Sequence, residues 1–124
     1  MTAASAAFAT PLALYRALCQ LWSGATASPT GAWSAEYPAQ NHCSVTALLV
    51  HDHFGGEILS TCTAGGTHFY NRIDGRTWDL TVSQFAEPVP YDDTVSSRAA
   101  ALADTSTEKY ALLAARLREA GHGH

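Results

Sequence analysis

Charge of either sign is scarce in this chain. Charged residues make up 15% of its 124 positions, with 7 Lys and Arg against 11 Asp and Glu, a formal net charge of -4 and an isoelectric point of about 5.8. Basic runs, interleaved basic and aromatic residues, and a Gly-rich loop ending in Gly-Lys-Ser/Thr are all missing. Binding to nucleic acid through phosphate neutralisation is therefore excluded as the expected role, and so is a P-loop. No apolar run is long enough to cross a bilayer. The Ala-rich start lacks a positively charged segment, and Arg16 interrupts its apolar stretch, so it does not read as a secretory signal. The expectation is a cytoplasmic protein with neither membrane nor nucleic-acid partner.

Cysteine is also sparse. Cys19, Cys43 and Cys62 are odd in number, widely spaced and without a C-x-x-C pair, so neither a disulfide framework nor a zinc site is expected. His51 and His53 lie two apart on one predicted helix and diverge rather than converge on a metal. No cofactor is implied. Cys19 falls on the apolar side of a helix and Cys62 near a strand end, and both read as packing residues.

What remains is 47% hydrophobic, enough for one core, and the length fits a single domain over residues 1–124. Residues 1–9 and 121–124 are expected to be weakly ordered; the terminal Gly-His-Gly-His carries no argument. Thr10-Pro11 followed by Leu14, Leu18, Leu21 and Trp22 predicts a capped helix from about Thr10 to Trp22. A second helix is expected from Asn41–Cys43 to about His53, stopped by Gly55-Gly56. Strands are expected at Glu57–Thr63, Thr67–Ile73 and Arg76–Thr81, and a final helix from about Ser106 to Ala120. The fold class is α+β, with a small antiparallel sheet of three to five strands packed by helices.

Asp74-Gly75 is the strongest hairpin signal. A two-residue loop there sets Ile73 opposite Arg76 and Tyr70 opposite Asp79. His68 and Asp79 then share a face as diagonal neighbours, about 7–8 Å apart at the backbone and within side-chain reach. A carboxylate so placed fixes the histidine tautomer and stabilises its protonated form. Cys43 falls at the start of the second helix, where unpaired amides are expected to lower a thiol pKa and hold an oxyanion. The sequence thus points to a Cys43–His68–Asp79 triad with papain-like logic. Gln40, Asn41 or His42 would supply a second oxyanion donor. Trp33, in the aromatic-bearing loop before Cys43, and Tyr70, beside Asp79, are candidate substrate-lining residues together with Asn41.

The blocks Trp33–Ala39, His42–Leu48, Gly55–Leu59, His68–Arg72 and Asp79–Phe85 resemble, in order and spacing, the YunG-like family of small bacterial proteins. The resemblance covers most of residues 10–86 and implies that Cys43, His68 and Asp79 matter, but it supplies no substrate. The family pattern commonly has Gln immediately before the Cys; here His42 stands in that place. The expected function is a thiol hydrolase or acyltransferase acting on an amide, ester or thioester of a small-molecule or peptide-like substrate. The competing expectation is a binding module on the same scaffold, without turnover.

Overall fold

The computed structural model describes residues 8–122. Helix α1 spans Pro11–Leu21, with Thr10 capping the Ala13 amide and Pro11 in the first turn. A loop leads to α2, Cys43–Phe54. A hairpin-linked sheet follows: β1 Glu57–Thr63, β2 Gly66–Ile73 and β3 Arg76–Trp78. A 3-10 turn at Val82–Gln84, a two-residue strand β4 at Thr94–Val95, and helices α3, Arg98–Asp104, and α4, Thr107–His122, complete the chain. The sheet is antiparallel with strand order β3-β2-β1-β4.

Helix α2 is the centre of the molecule. Every residue from Ser44 to Val50 is buried, because two apolar layers close on it. Leu14, Leu18 and Trp22 of the α1 side meet Val45, Leu49, Leu113 and Leu117 in one cluster. Ala47, Leu48, Ile58, Phe69 and Ala101 form the second, between α2, the sheet and α3. The polar groups that this burial traps are paired. Trp22 Nε1 donates to Thr46 Oγ1 at 3.1 Å, and Asn71 Nδ2 donates to the Ala47 carbonyl at 3.1 Å. Each such bond offsets a desolvation cost of about 1–3 kcal/mol.

The Asp74-Gly75 turn has the expected register, with Ile73 opposite Arg76 and Asn71 opposite Trp78. Both turn residues have positive φ (50° and 79°), the backbone of a type I′ hairpin loop. β3 is shorter than expected: the ladder stops at Trp78, and Asp79–Thr81 leaves the sheet for the 3-10 turn. The expected pairing of Tyr70 with Asp79 therefore does not form. Residues 66–70 of β2 consequently have β1 as a neighbour on one side and no strand on the other.

Two expectations are corrected here. Phe8, taken as part of a loose start, is 8% exposed and packs edge-on against His53. The expected weak order of residues 1–7 and 123–124 lies outside the described residues. Cys62 is exposed on β1 rather than packed, whereas Cys19 is half-buried against the core. Helix α3 and strand β4 were not anticipated. Among the described residues, no helix is long and apolar enough to cross a membrane.

Candidate functional site

Cys43 is the first residue of α2. The preceding turn reaches it through Asn41, which holds a left-handed φ of 65°. Asn41 is kept there by its Nδ2 donating to the Ala32 carbonyl at 2.7 Å. The residue at the helix cap, His42, makes no side-chain bond to the first turn. The leading amides of α2 thus carry no capping side chain, an arrangement suited to an anionic oxygen.

His42 is fully buried and tilted against Trp22. Its Nδ1 lies 2.9 Å from the Gln40 carbonyl, which only accepts, so Nδ1 carries the hydrogen. Nε2 of the neutral ring then accepts from the Thr26 hydroxyl at 2.7 Å. Burial pushes its pKa down to about 4, partly offset by the Gln40 and Ser23 carbonyls. Both ring nitrogens are committed to the loop, so His42 is a structural tie and not an oxyanion donor. Gln40 stays a candidate: it lines the cavity beside Cys43, and its side chain makes no hydrogen bond among the described residues.

His68 sits on β2 and is 2% exposed. Its Nε2 is 2.7 Å from Asp79 Oδ2. Asp79 is held on every side that faces protein. Its Oδ1 accepts from the Thr81 amide at 3.2 Å and the Thr81 hydroxyl at 3.3 Å; its Oδ2 also accepts from the Tyr91 hydroxyl at 2.9 Å. Phe85 packs edge-on against the His68 ring at 4.7 Å, and Tyr70 stacks on it at 5.9 Å. The second ring nitrogen, Nδ1, is buried and has no hydrogen-bond partner among the described residues. A buried donor or acceptor without a partner is uncommon.

Cys43 and His68 line one cavity of about 460 Å³, together with Gln40, Asn41, Gln84 and Phe85. Burial pushes the Cys43 thiol up to about 11, with the Asp104 and Asp79 carboxylates adding to the rise and the Phe69 and Ser44 amides opposing it. The expected lowering of the Cys43 pKa by its helix terminus is thereby overturned. Desolvation of a thiolate outweighs the amides around it.

Of the other candidates, Asn41 lines the cavity, whereas Trp33 and Tyr70 are not among the residues that surround it. The Trp33 indole donates to the Pro38 carbonyl at 3.2 Å and braces its own loop. Tyr70 is buried and exchanges two bonds with Asp93, donating to Oδ1 at 2.6 Å and accepting from the amide at 2.7 Å. Sequence reasoning missed three residues. Gln84 accepts from the Asn41 amide at 3.4 Å and donates to the Thr81 carbonyl at 3.1 Å, linking the Asp79 turn to the loop before Cys43. Phe85 packs on His68, and Tyr91 bonds Asp79. The first two lie in the Asp79–Phe85 block, a signal that was present but carried no role; Tyr91 stands in a polar, Pro-rich stretch that points to no particular contact.

Residues 10–122 match the family model described as YunG protein. A protein of Bacillus subtilis (strain 168), named "Uncharacterized protein YunG", is 42% identical over 107 residues, covering 86% of this chain and 87% of that protein. No solved structure matches.

Proposed function

The chain belongs to the YunG family, and we propose that it is a cysteine-dependent hydrolase or acyltransferase acting on an amide, ester or thioester carbonyl, with the logic of papain-like enzymes. One observation carries the reading. His68 is clamped through Nε2 by Asp79, while Nδ1 is buried without a partner among the described residues, and the ring lines the same cavity as Cys43.

The steps follow from those positions. A carbonyl substrate enters the cavity. The Cys43 S–H bond breaks as sulfur bonds to the carbonyl carbon, and the proton passes to His68 Nδ1. Because burial keeps the resting thiol protonated, this transfer accompanies attack rather than preceding it, a departure from the preformed thiolate of papain-like enzymes and closer to serine hydrolases. Asp79 orients the ring and stabilises its cationic form. The Cys43 amide and Gln40 hold the oxyanion. On collapse, the leaving group takes the proton from His68, and a thioester on Cys43 remains. Water or an amine then attacks it, losing its proton to His68, and the thiol is restored. Free thiols fit a reducing compartment, so the proposal places this chemistry in the cytoplasm.

The binding-module alternative draws on one observation, the raised thiol pKa, which suits a cysteine that never ionises. Intact-mass analysis after brief exposure to 4-nitrophenyl acetate separates the two. An acetyl adduct that maps to Cys43, disappears on standing, and is absent in Cys43→Ala supports the enzyme. No adduct on Cys43 at any pH from 6 to 9 leaves the binding module.

A further inference from the structure

Beside the Cys43 cavity lies a second groove, of about 410 Å³, between the β1–β2 turn and the segment after the 3-10 turn. Thr63, Gly65, Gln84 and Phe85 line both spaces. These shared residues set the two spaces side by side. The far walls are Ala64, Ala86, Pro88, Val89 and Pro90, with Cys62 at one side. Among the described residues, Glu87 is the single carboxylate there, and no Lys or Arg contributes. The first cavity is different in kind, lined largely by Ser, Thr, Gln and Asn side chains and by Asp104. The pair therefore sorts a substrate into a polar part over Cys43 and an uncharged apolar part beyond Phe85.

Resting on the acyl-chemistry reading, we propose that this groove is the acyl subsite, and that the acyl group carried to Cys43 is an uncharged aliphatic chain lying along Ala86–Pro90. Several features argue for this occupant. Prolines donate no backbone hydrogen bond, so a wall built on Pro88 and Pro90 offers a chain apolar contact rather than donors. The neighbouring carboxylate, Glu87, repels a terminal carboxylate, which separates a simple acyl chain from a dicarboxylic one. Phe85 touches both His68 and the groove, so filling the groove presses on the residue that packs the catalytic ring.

The test measures the rate of Cys43 acylation by 4-nitrophenyl acetate, butyrate and hexanoate, each corrected for its uncatalysed hydrolysis. Each added methylene should raise the rate roughly threefold until the groove is full, giving at least about tenfold from acetate to hexanoate. A hexanedioate half-ester of matching length should be slower than hexanoate. Val89→Asp, with its fold verified by circular dichroism, should remove the chain-length preference and bring hexanoate down to the acetate rate, while Val89→Leu keeps the preference. Equal rates across the series, or a chain-length preference that persists in Val89→Asp, overturn the subsite while acetate labelling of Cys43 leaves the acyl reading standing. Absence of Cys43 labelling by any ester overturns both.

Discussion

His68 Nε2 and Asp79 Oδ2 meet at 2.7 Å across the mouth of the Asp74-Gly75 hairpin, at the point where β3 gives up its ladder and the chain turns away. The turn also adds the Thr81 amide and hydroxyl as donors to the carboxylate. Asp79→Asn should lower Cys43 acylation by about 10²–10⁴-fold, because an amide that donates to Nε2 imposes the wrong tautomer. Tyr91→Phe removes one of four bonds to the carboxylate and should cost about tenfold. Asp79→Ala leaves His68 and Thr81 without their buried partner and should destabilise the fold by about 2–4 kcal/mol in urea unfolding.

The Cys43 thiol is expected to be protonated at neutral pH. Iodoacetamide at pH 7.5 should label exposed Cys62 before Cys43, with Cys43 labelling climbing as pH approaches 11. Peptide mapping over a pH series checks the order. Rapid Cys43 labelling at pH 6 would mean a preformed thiolate and contradict it. The same shift acts on stability. A thiol pKa raised in the fold from about 9 favours the folded state fully below pH 9, and that contribution is lost as pH rises through 11. The alkaline loss should shrink in Cys43→Ala.

His42 works in the opposite pH range. Its folded pKa of about 4 lies below the ordinary imidazole value near 6.5. The neutral ring therefore contributes stability above pH 6.5, and this is lost as pH falls through 4, amounting to about 2–3 kcal/mol. Urea unfolding of His42→Gln should show a smaller acid loss over that window. Because both His42 nitrogens are tied to Thr26 and Gln40, the same variant should keep Cys43 acylation within about threefold of wild type, whereas Gln40→Ala should lower it about tenfold or more.

The hairpin shows what a sequence makes legible. Asp74-Gly75 supplies the positive φ that the turn needs at two positions, which selects the turn and the register as far as Trp78; the contact of His68 with Asp79 forms beyond that ladder, where the chain turns away. Cys43 at the head of a helix was equally readable, since the helix boundary is set by local pattern. Its ionisation was not. Thiol pKa depends on how much water survives around sulfur, and that follows from α2 being packed on both sides. The fate of His42 was hidden for the same reason: its partner Thr26 comes from a loop 16 residues earlier in the chain. Tyr91 and Phe85 reach the site through irregular segments, where periodicity carries no information.

Gly56 marks the backbone limit of the sheet edge. Its φ is +76°, and an added Cβ would stand 2.1 Å from the Arg72 carbonyl oxygen. Gly56→Ala should lower stability by at least about 2 kcal/mol, seen as a reduced urea midpoint, while Gly75→Ala, which meets nothing within 4 Å, should cost less.

The central claim is that His68 Nδ1 is the base for Cys43. The most direct measurement is the rate constant for Cys43 acylation by 4-nitrophenyl acetate at pH 7.5, in wild type and His68→Ala, with folding of both verified by circular dichroism. The rate constant should fall at least about 100-fold in the variant. Equal rates in the two folded proteins would contradict it, and would mean that His68 and Asp79 form a buried structural pair beside a cysteine they do not activate.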